Sequence, residues 1–243
     1  MYQPRTYRSW VHDKDLVSYS VIVRETDLYI RTTSDLNGQA LDSVLKYRRQ
    51  IEEYISYHPE FATTLKPLII NDTSPEIIKD MAMASQKFDV GPMAAVAGAI
   101  AEFVGKDLMK YSDEVIIENG GDIFLSSKRN RTVAIYAGNS PLSGKYGLEI
   151  KADATPLGIC TSSGTVGHSL SFGKADAVVT LADSASLADA AATAIGNMVK
   201  SKNDINPVLD YARESGFLKG IVIIKDDSIG AWGNMELCEL PEI

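Results

Sequence analysis

The stretch Val115-Ile116-Ile117-Glu118-Asn119-Gly120-Gly121-Asp122-Ile123-Phe124-Leu125-Ser126 decides the fold. Two runs of branched and aromatic residues flank a glycine pair set between polar residues, the pattern of two strands joined by a tight hairpin. Paired glycines adopt positive φ without steric cost. They also expose backbone N–H groups that can receive an anion. On these residues alone a plain hairpin turn and an anion-binding turn are equally good readings.

Similar strand patterns extend to both sides. Downstream lie Thr132 to Ala137, Gly147 to Lys151, Leu157 to Thr161, Ala177 to Leu181, Gly220 to Lys225 and Ala231 to Leu237; upstream lie Tyr7 to Val11, Val17 to Arg24 and Leu28 to Thr33. In Val17 to Arg24, Ser18, Ser20 and Ile22 alternate with Tyr19, Val21 and Val23, which predicts a strand with one exposed face. Helical spacing marks Leu41 to Tyr57, ended by His58-Pro59 and preceded by a break at Asn37-Gly38. It recurs at Ser74 to Gln86, Pro92 to Lys110, Ser186 to Lys200 and Asn206 to Ser215. The small residues Ala94, Ala95, Ala97, Gly98, Ala99 and Ala101 predict close approach of that helix to a sheet or a ligand. The sum is an α+β fold with helices packed on antiparallel sheets, and the strands-then-helices order of the two halves hints at a duplication. Residues 1–243 read as one domain, with the strand meander of residues 1–35 as an extension of it.

The chain has 243 residues, 45% hydrophobic and 23% charged, with a formal net charge of -8. An acidic chain without a basic stripe argues against nucleic-acid and anionic-membrane partners. Its basic cluster, Lys46, Arg48 and Arg49, is followed at once by Glu52 and Glu53, which reads as a solvated helix face. Met93 to Ala101 is about half the ~20 residues of a membrane span. The polar stretch Tyr2 to Arg8 lacks the apolar core of a signal peptide. Cys160 and Cys238 are too few for a disulfide framework, so a reducing, cytoplasmic setting is expected.

Two further segments have the wrong composition for plain structure. Cys160-Thr161-Ser162-Ser163-Gly164-Thr165-Val166-Gly167-His168-Ser169 carries five hydroxyls, a thiol and an imidazole after an apolar strand. Hydroxyls and exposed amides suit phosphate or carboxylate oxygens, and a histidine moves protons near neutral pH. A lone cysteine or histidine is more often structural, but so many small polar groups together make a poor core. In Ser186 to Asn197, Asp189 and Thr193 share one helix face a turn apart. They can supply two oxygen ligands to Mg²⁺, with phosphate and water completing its octahedron. Ser186-x-x-Asp189 is also a capping-box-like helix start, the reading that spacing alone favours, and the two roles are not exclusive.

Taken together, Glu118-Asn119-Gly120-Gly121-Asp122, Thr161-Ser162-Ser163-Gly164 and Ala188-Asp189-Ala190-Ala191-Ala192-Thr193-Ala194 resemble the ApbE superfamily, and within it a short ApbE-like branch. The likeness runs from about Asp89 to Asn197 and includes Gly173-Lys174-Ala175-Asp176. It implies a duplicated α+β fold of the tunnelling-fold type, FAD or another flavin or nucleotide as ligand, and Mg²⁺ at Asp189 and Thr193. Many members transfer FMN to a hydroxyl of an acceptor protein. The family's His-Ile-Ile-Asp-Pro-x-Thr-Gly segment is replaced here by His168-Ser169-Leu170-Ser171-Phe172-Gly173-Lys174, and Ala95 stands where the family has a lysine.

Three functions are compatible with these residues. In the first, Asn119, Gly120, Gly121, Asp122, Thr161, Ser162, Ser163, Gly164 and Thr165 hold a small phosphate-bearing ligand, Asp189 and Thr193 hold Mg²⁺, and His168 is the acid/base. The second is sulfur transfer centred on Cys160, which some members of the ApbE-like branch suggest. The third is a non-catalytic subunit that keeps the fold, with a protein partner or a second copy of the chain.

Overall fold

The computed structural model describes Arg8 and residues 15–164 and 172–241. Val115–Asn119 (β3) and Asp122–Ser126 (β4) pair antiparallel with Asn119 opposite Asp122, so Gly120 and Gly121 are the two-residue turn. Their φ values of 71° and 104° are the positive angles that such a turn requires. The hairpin supplies the third and fourth strands of an eight-stranded sheet. Val17–Val23 (β1) and Thr26–Thr32 (β2) precede it; Leu157–Ser162 (β7), Ala177–Ala182 (β8), Gly220–Lys225 (β9) and Ser228–Gly233 (β10) follow, in the order β1-β2-β3-β4-β7-β8-β9-β10. Every neighbouring pair is antiparallel.

The helices are Asn37–Tyr57 (α1), Glu60–Thr63 (α2), Glu76–Lys87 (α3), Val96–Leu108 (α4), Ala185–Met198 (α5) and Ile205–Glu214 (α6). Each half of the sheet therefore follows one plan: two strands, a set of helices, then two strands that return beside the first pair. Between the halves, Arg131–Ala134 (β5) and Tyr146–Ile150 (β6) join Glu236–Glu239 (β11) in a three-stranded sheet.

Burial follows strand alternation. Leu28, Ile30, Val115, Ile117, Phe124, Cys160, Val178, Ile221 and Ile223 meet the helices. Their neighbours Ile116, Leu125, Leu157, Ile159, Val179, Leu181, Val222 and Ile224 meet Ile135, Leu148 and Ile150 on the other face. Strands covered on both faces need apolar residues at nearly every position, which is why β8 and β9 read as continuous apolar runs. At the β1 edge the alternation expected for Val17 to Arg24 is present: Val21 is buried, while Ser18, Ser20 and Ile22 are exposed.

Several boundaries differ from the sequence reading. Asn37-Gly38 opens α1 instead of interrupting it, and Asp35 Oδ1 accepts the Asn37 N–H at 2.9 Å just ahead of the first turn. Pro92 to Lys110 is a 3₁₀ turn, Pro92–Ala95, followed by α4. Ala231 to Leu237 is not one strand. Gly233, at φ 120°, ends β10, and the chain crosses to the smaller sheet as β11. Apart from Arg8, the expected strand Tyr7 to Val11 lies outside the described residues. Among the described residues no single helix is long and apolar enough to cross a membrane. Only α3 together with 92–108 passes such a test, and that pair is bent by 103°.

The small residues of α4 answer to two neighbours. A Cβ on Gly105 would lie 2.2 Å from the Phe124 ring of the sheet, and one on Gly98 would lie 2.2 Å from the Ala185 carbonyl oxygen of α5. Gly98→Ala is therefore expected to destabilise the protein by about 1–3 kcal/mol in urea unfolding. Gly38→Ala, with nothing within 4 Å of its added methyl, should change stability by less than about 1 kcal/mol.

Asp107 ties α4 to α1. Burial pushes its carboxyl up, but hydrogen bonds from Lys110, Ser43 and Lys46 outweigh that and hold its pKa at about 2, below the usual 3.8. A depressed carboxylate contributes stability above its unfolded pKa and loses it as pH falls through the folded value. The stability gap between wild type and Asp107→Asn should accordingly be full at pH 5 to 7 and close between pH 4 and pH 2, read by thermal unfolding across that range.

Candidate ligand and metal site

Helix α5 begins at Ala185 because Ser184 has extended backbone and its hydroxyl accepts the Leu187 N–H at 3.2 Å. This corrects the capping pair read at Ser186 and Asp189, since the cap lies two residues earlier. Ser186 instead hydrogen-bonds Asp80 on α3. Asp189, in the second turn, does cap a helix, but a different one. Its carboxylate accepts the Gly98 N–H at 3.0 Å and the Ala97 N–H, closing the first turn of α4, where the helix dipole favours negative charge.

The glycine hairpin meets the same turn from the sheet. Asn119 Nδ2 donates to the Ala97 carbonyl at 3.0 Å. Asp122, opposite Asn119, lies on the same helix-facing side, and its Oδ1 accepts the Thr161 N–H at 3.2 Å. The Cys160 thiol donates to the Ala185 carbonyl at 3.2 Å and also hydrogen-bonds Asp122. Strand alternation then divides the hydroxyl run. Thr161 turns to the far face, where a Cβ on Gly121 would be 3.8 Å from its own Cβ. Ser162 returns to the helix side, 3.2 Å from the place of a Cβ on Gly196.

Gly164 N–H donates to the Ala175 carbonyl at 2.9 Å, and a Cβ on Gly164 would strike the Gly173 carbonyl oxygen at 2.4 Å. Gly164 and Gly173 thus meet backbone to backbone and form a narrow base. That base rests on the end of α5, where Phe172 N–H donates to Asn197 Oδ1 at 2.7 Å and Lys174 N–H to the Val199 carbonyl at 2.8 Å. Thr165 and His168 lie outside the described residues.

Asn119, Asp122, Cys160, Ser162 and Asp189 therefore come together between the sheet and the helices, while Thr161 stands beside the glycine turn on the opposite face. Within the turn itself, Gly121 N–H is already engaged by Glu118 Oε1 at 2.7 Å, which leaves the exposed Gly120 as the residue whose amide can meet a ligand. The sequence reading quoted Glu118 in the turn segment without giving it a role, and it missed the backbone of Ala97 and Gly98. Its one relevant signal was the small-residue stripe of α4.

Charge is poorly balanced at this point. Burial and the nearby Asp189 charge push the Asp122 carboxyl well above its usual range. Burial likewise raises Asp189 to about 7, against the opposing pull of the Gly98 and Ala97 N–H groups. Among the described residues neither carboxylate has a Lys or Arg ion-pair partner, and no three His, Cys, Asp or Glu side chains group to hold a metal by themselves. Asp122 and Asp189 lie near enough for their charges to interact, and Thr193 follows Asp189 by one turn of α5, a set of oxygen-bearing side chains. Such a set fits a hard cation that takes its remaining ligands from water and phosphate.

Burial pushes the Cys160 thiol up, and the charges of Asp122 and Asp189 push it further the same way. Cys160 has no exposed surface. A reactive thiolate needs the reverse, access and positive charge nearby. Two surface cavities of about 330 Å³ lie elsewhere. One is near Tyr54, His58 and Asn71, the other near Asp80, Lys87 and Leu187, about 200° around α5 from Asp189.

This fold is shared with solved ApbE structures, among them a flavinyl transferase. The chain superposes on the flavinyl transferase ApbE of Pseudomonas stutzeri with a TM-score of 0.59 at 10% identity, covering 89% of this chain and 94% of that one. The ApbE protein of Thermotoga maritima gives a TM-score of 0.59 at 11% identity, over 88% and 96% of the two chains. Identities this low establish a shared fold and nothing finer. Residues 8–224 match the family model described as AbpE bacteria, and the chain belongs to that family. Its relatives include the UPF0280 proteins of Methanocaldococcus jannaschii, 41% identical over 88% of this chain and 90% of the relative, and of Methanococcus vannielii, 42% identical over 91% and 92%.

Of the two free cysteines, Cys238 is partly exposed and Cys160 is buried. Iodoacetamide on native protein should modify Cys238 first and reach Cys160 only on unfolding. Peptide mass spectrometry showing early labelling of Cys160 would restore it as a candidate nucleophile.

Proposed function

We propose that this protein binds a small phosphate-bearing ligand, a flavin or another nucleotide, together with Mg²⁺, at the corner where the glycine turn, the end of β7 and α5 meet. The observation that carries the reading is the pair of buried carboxylates, Asp122 and Asp189, on opposite walls of that corner without a basic side chain between them among the described residues. A divalent cation supplies the missing charge. Asp189 and Thr193 would hold it, with Asp122 facing it from the sheet. The chemistry supplied by Mg²⁺ there, when bound, would be positive charge to offset the carboxylates and the ligand phosphates. In this reading Gly120 and the hydroxyls of Ser162, Ser163 and Thr165 meet the phosphate oxygens, Thr161 can reach them only from beside the glycine turn on the other face, and His168 is the acid/base candidate. The shared fold with flavinyl transferases supports flavin as the ligand class. Two free cysteines fit a cytoplasmic setting. Sulfur transfer through Cys160 is not favoured, because its thiol is buried against carboxylates.

Calorimetry and thermal unfolding with FAD, FMN and ATP, each with and without Mg²⁺, test the reading. At least one should bind with Mg²⁺ and raise Tm, and a ligand present at 100 times its Kd should add about 2.7 kcal/mol. Asp189→Ala should abolish the Mg²⁺-dependent part of that gain. If none of the three binds with Mg²⁺, the proposal is wrong. Wild-type behaviour of Asp189→Ala and His168→Ala in a cellular assay would point instead to a non-catalytic subunit.

A further inference from the structure

Arg8 stands far from the glycine turn in sequence but touches what holds it. Its Nε donates to Glu118 Oε2 at 2.6 Å, its Nη1 to Asp27 Oδ1 at 2.8 Å and its Nη2 to the Asp27 carbonyl at 2.8 Å. The guanidinium lies over the Tyr29 ring, 5.5 Å from its centroid. The side chains of Arg8 and Glu118 are 15% and 7% exposed, so this pair is shielded from the screening that weakens surface ion pairs. The other oxygen of Glu118 takes the Gly121 N–H at 2.7 Å. One carboxylate therefore joins the arginine to the turn, and nothing in the fold requires a charged group there, since a hairpin of two glycines closes without one.

We propose that Arg8 is a positioning residue for the glycine turn, acting through Glu118. It holds the carboxylate that orients the Gly121 amide, and it neutralises a negative charge standing two residues from the Gly120 amide offered to an anionic ligand. This inference rests on the ligand reading above. Removing Arg8 would take an ion-pair partner from a buried carboxylate beside the phosphate position, which costs more than the lost contact alone.

The test uses the full-length protein, with FAD plus Mg²⁺ as probe in calorimetry and amide hydrogen exchange at Gly121 as a ligand-free readout. Arg8→Ala should weaken FAD binding about tenfold or more and speed Gly121 exchange. Glu118→Gln keeps an oxygen for the Gly121 amide and removes the charge, so it should bind nearly as wild type. The double variant should recover most of the affinity lost in Arg8→Ala. A purely structural role for Arg8 predicts the opposite, a double variant no better than the single one, and that result overturns the proposal. Unchanged Gly121 exchange in Arg8→Ala also overturns it. Wild-type protein that binds no FAD, FMN or ATP would sink the ligand reading instead, while the exchange measurement still decides whether Arg8 holds the turn.

Discussion

The carboxylate of Asp189 closes the first turn of α4 from α5, and both the fold and the candidate site depend on that contact. A helix start leaves N–H groups without partners, and an acidic side chain on a neighbouring helix satisfies them only if the two backbones come very close. Gly98 and the alanines around Ala185 allow that approach. Because Asn119 fixes the Ala97 carbonyl from β3 while Asp189 reaches over from α5, the same turn of α4 is held by one element from each half of the fold. The place where the halves meet is thus also the place where polar groups accumulate.

That arrangement explains how a site forms in a region otherwise packed with apolar side chains. Alternation along β4 and β7 sends Asp122, Cys160 and Ser162 toward the helices, in the row that elsewhere carries Phe124 and Val178. At most positions in this row an apolar residue completes the core. Near the glycine turn the row turns polar, and α5 answers with Asp189 and Thr193. In the ligand reading proposed above, a cation there would offset the electrostatic cost of two buried carboxylates.

Much of this was legible in the sequence because its signals are local. The glycine hairpin, the period-2 strands and the helical runs each depend on a few consecutive residues, and the α+β class follows from their order. The boundaries that differed, at Asn37, Pro92 and Gly233, depend on a neighbouring side chain or on a change of sheet. The capping pair at Ser186 and Asp189 was misread for a related reason. A serine followed three residues later by an aspartate is a valid local pattern, but Ser184 had already begun the helix, and the carboxylate found a better use on α4.

The sequence by itself determined the strands, the helices, the turn and the three polar segments, since each is written in the spacing of adjacent residues. Tertiary structure alone decided that Asp189 meets Gly98, 91 positions away, and that Arg8 reaches Glu118, 110 positions away. It also decided that Cys160 and Thr161, neighbours in the chain, face opposite sides of one sheet whose two faces carry different partners. The pleat is a local property, but what covers each face is set by how distant segments pack.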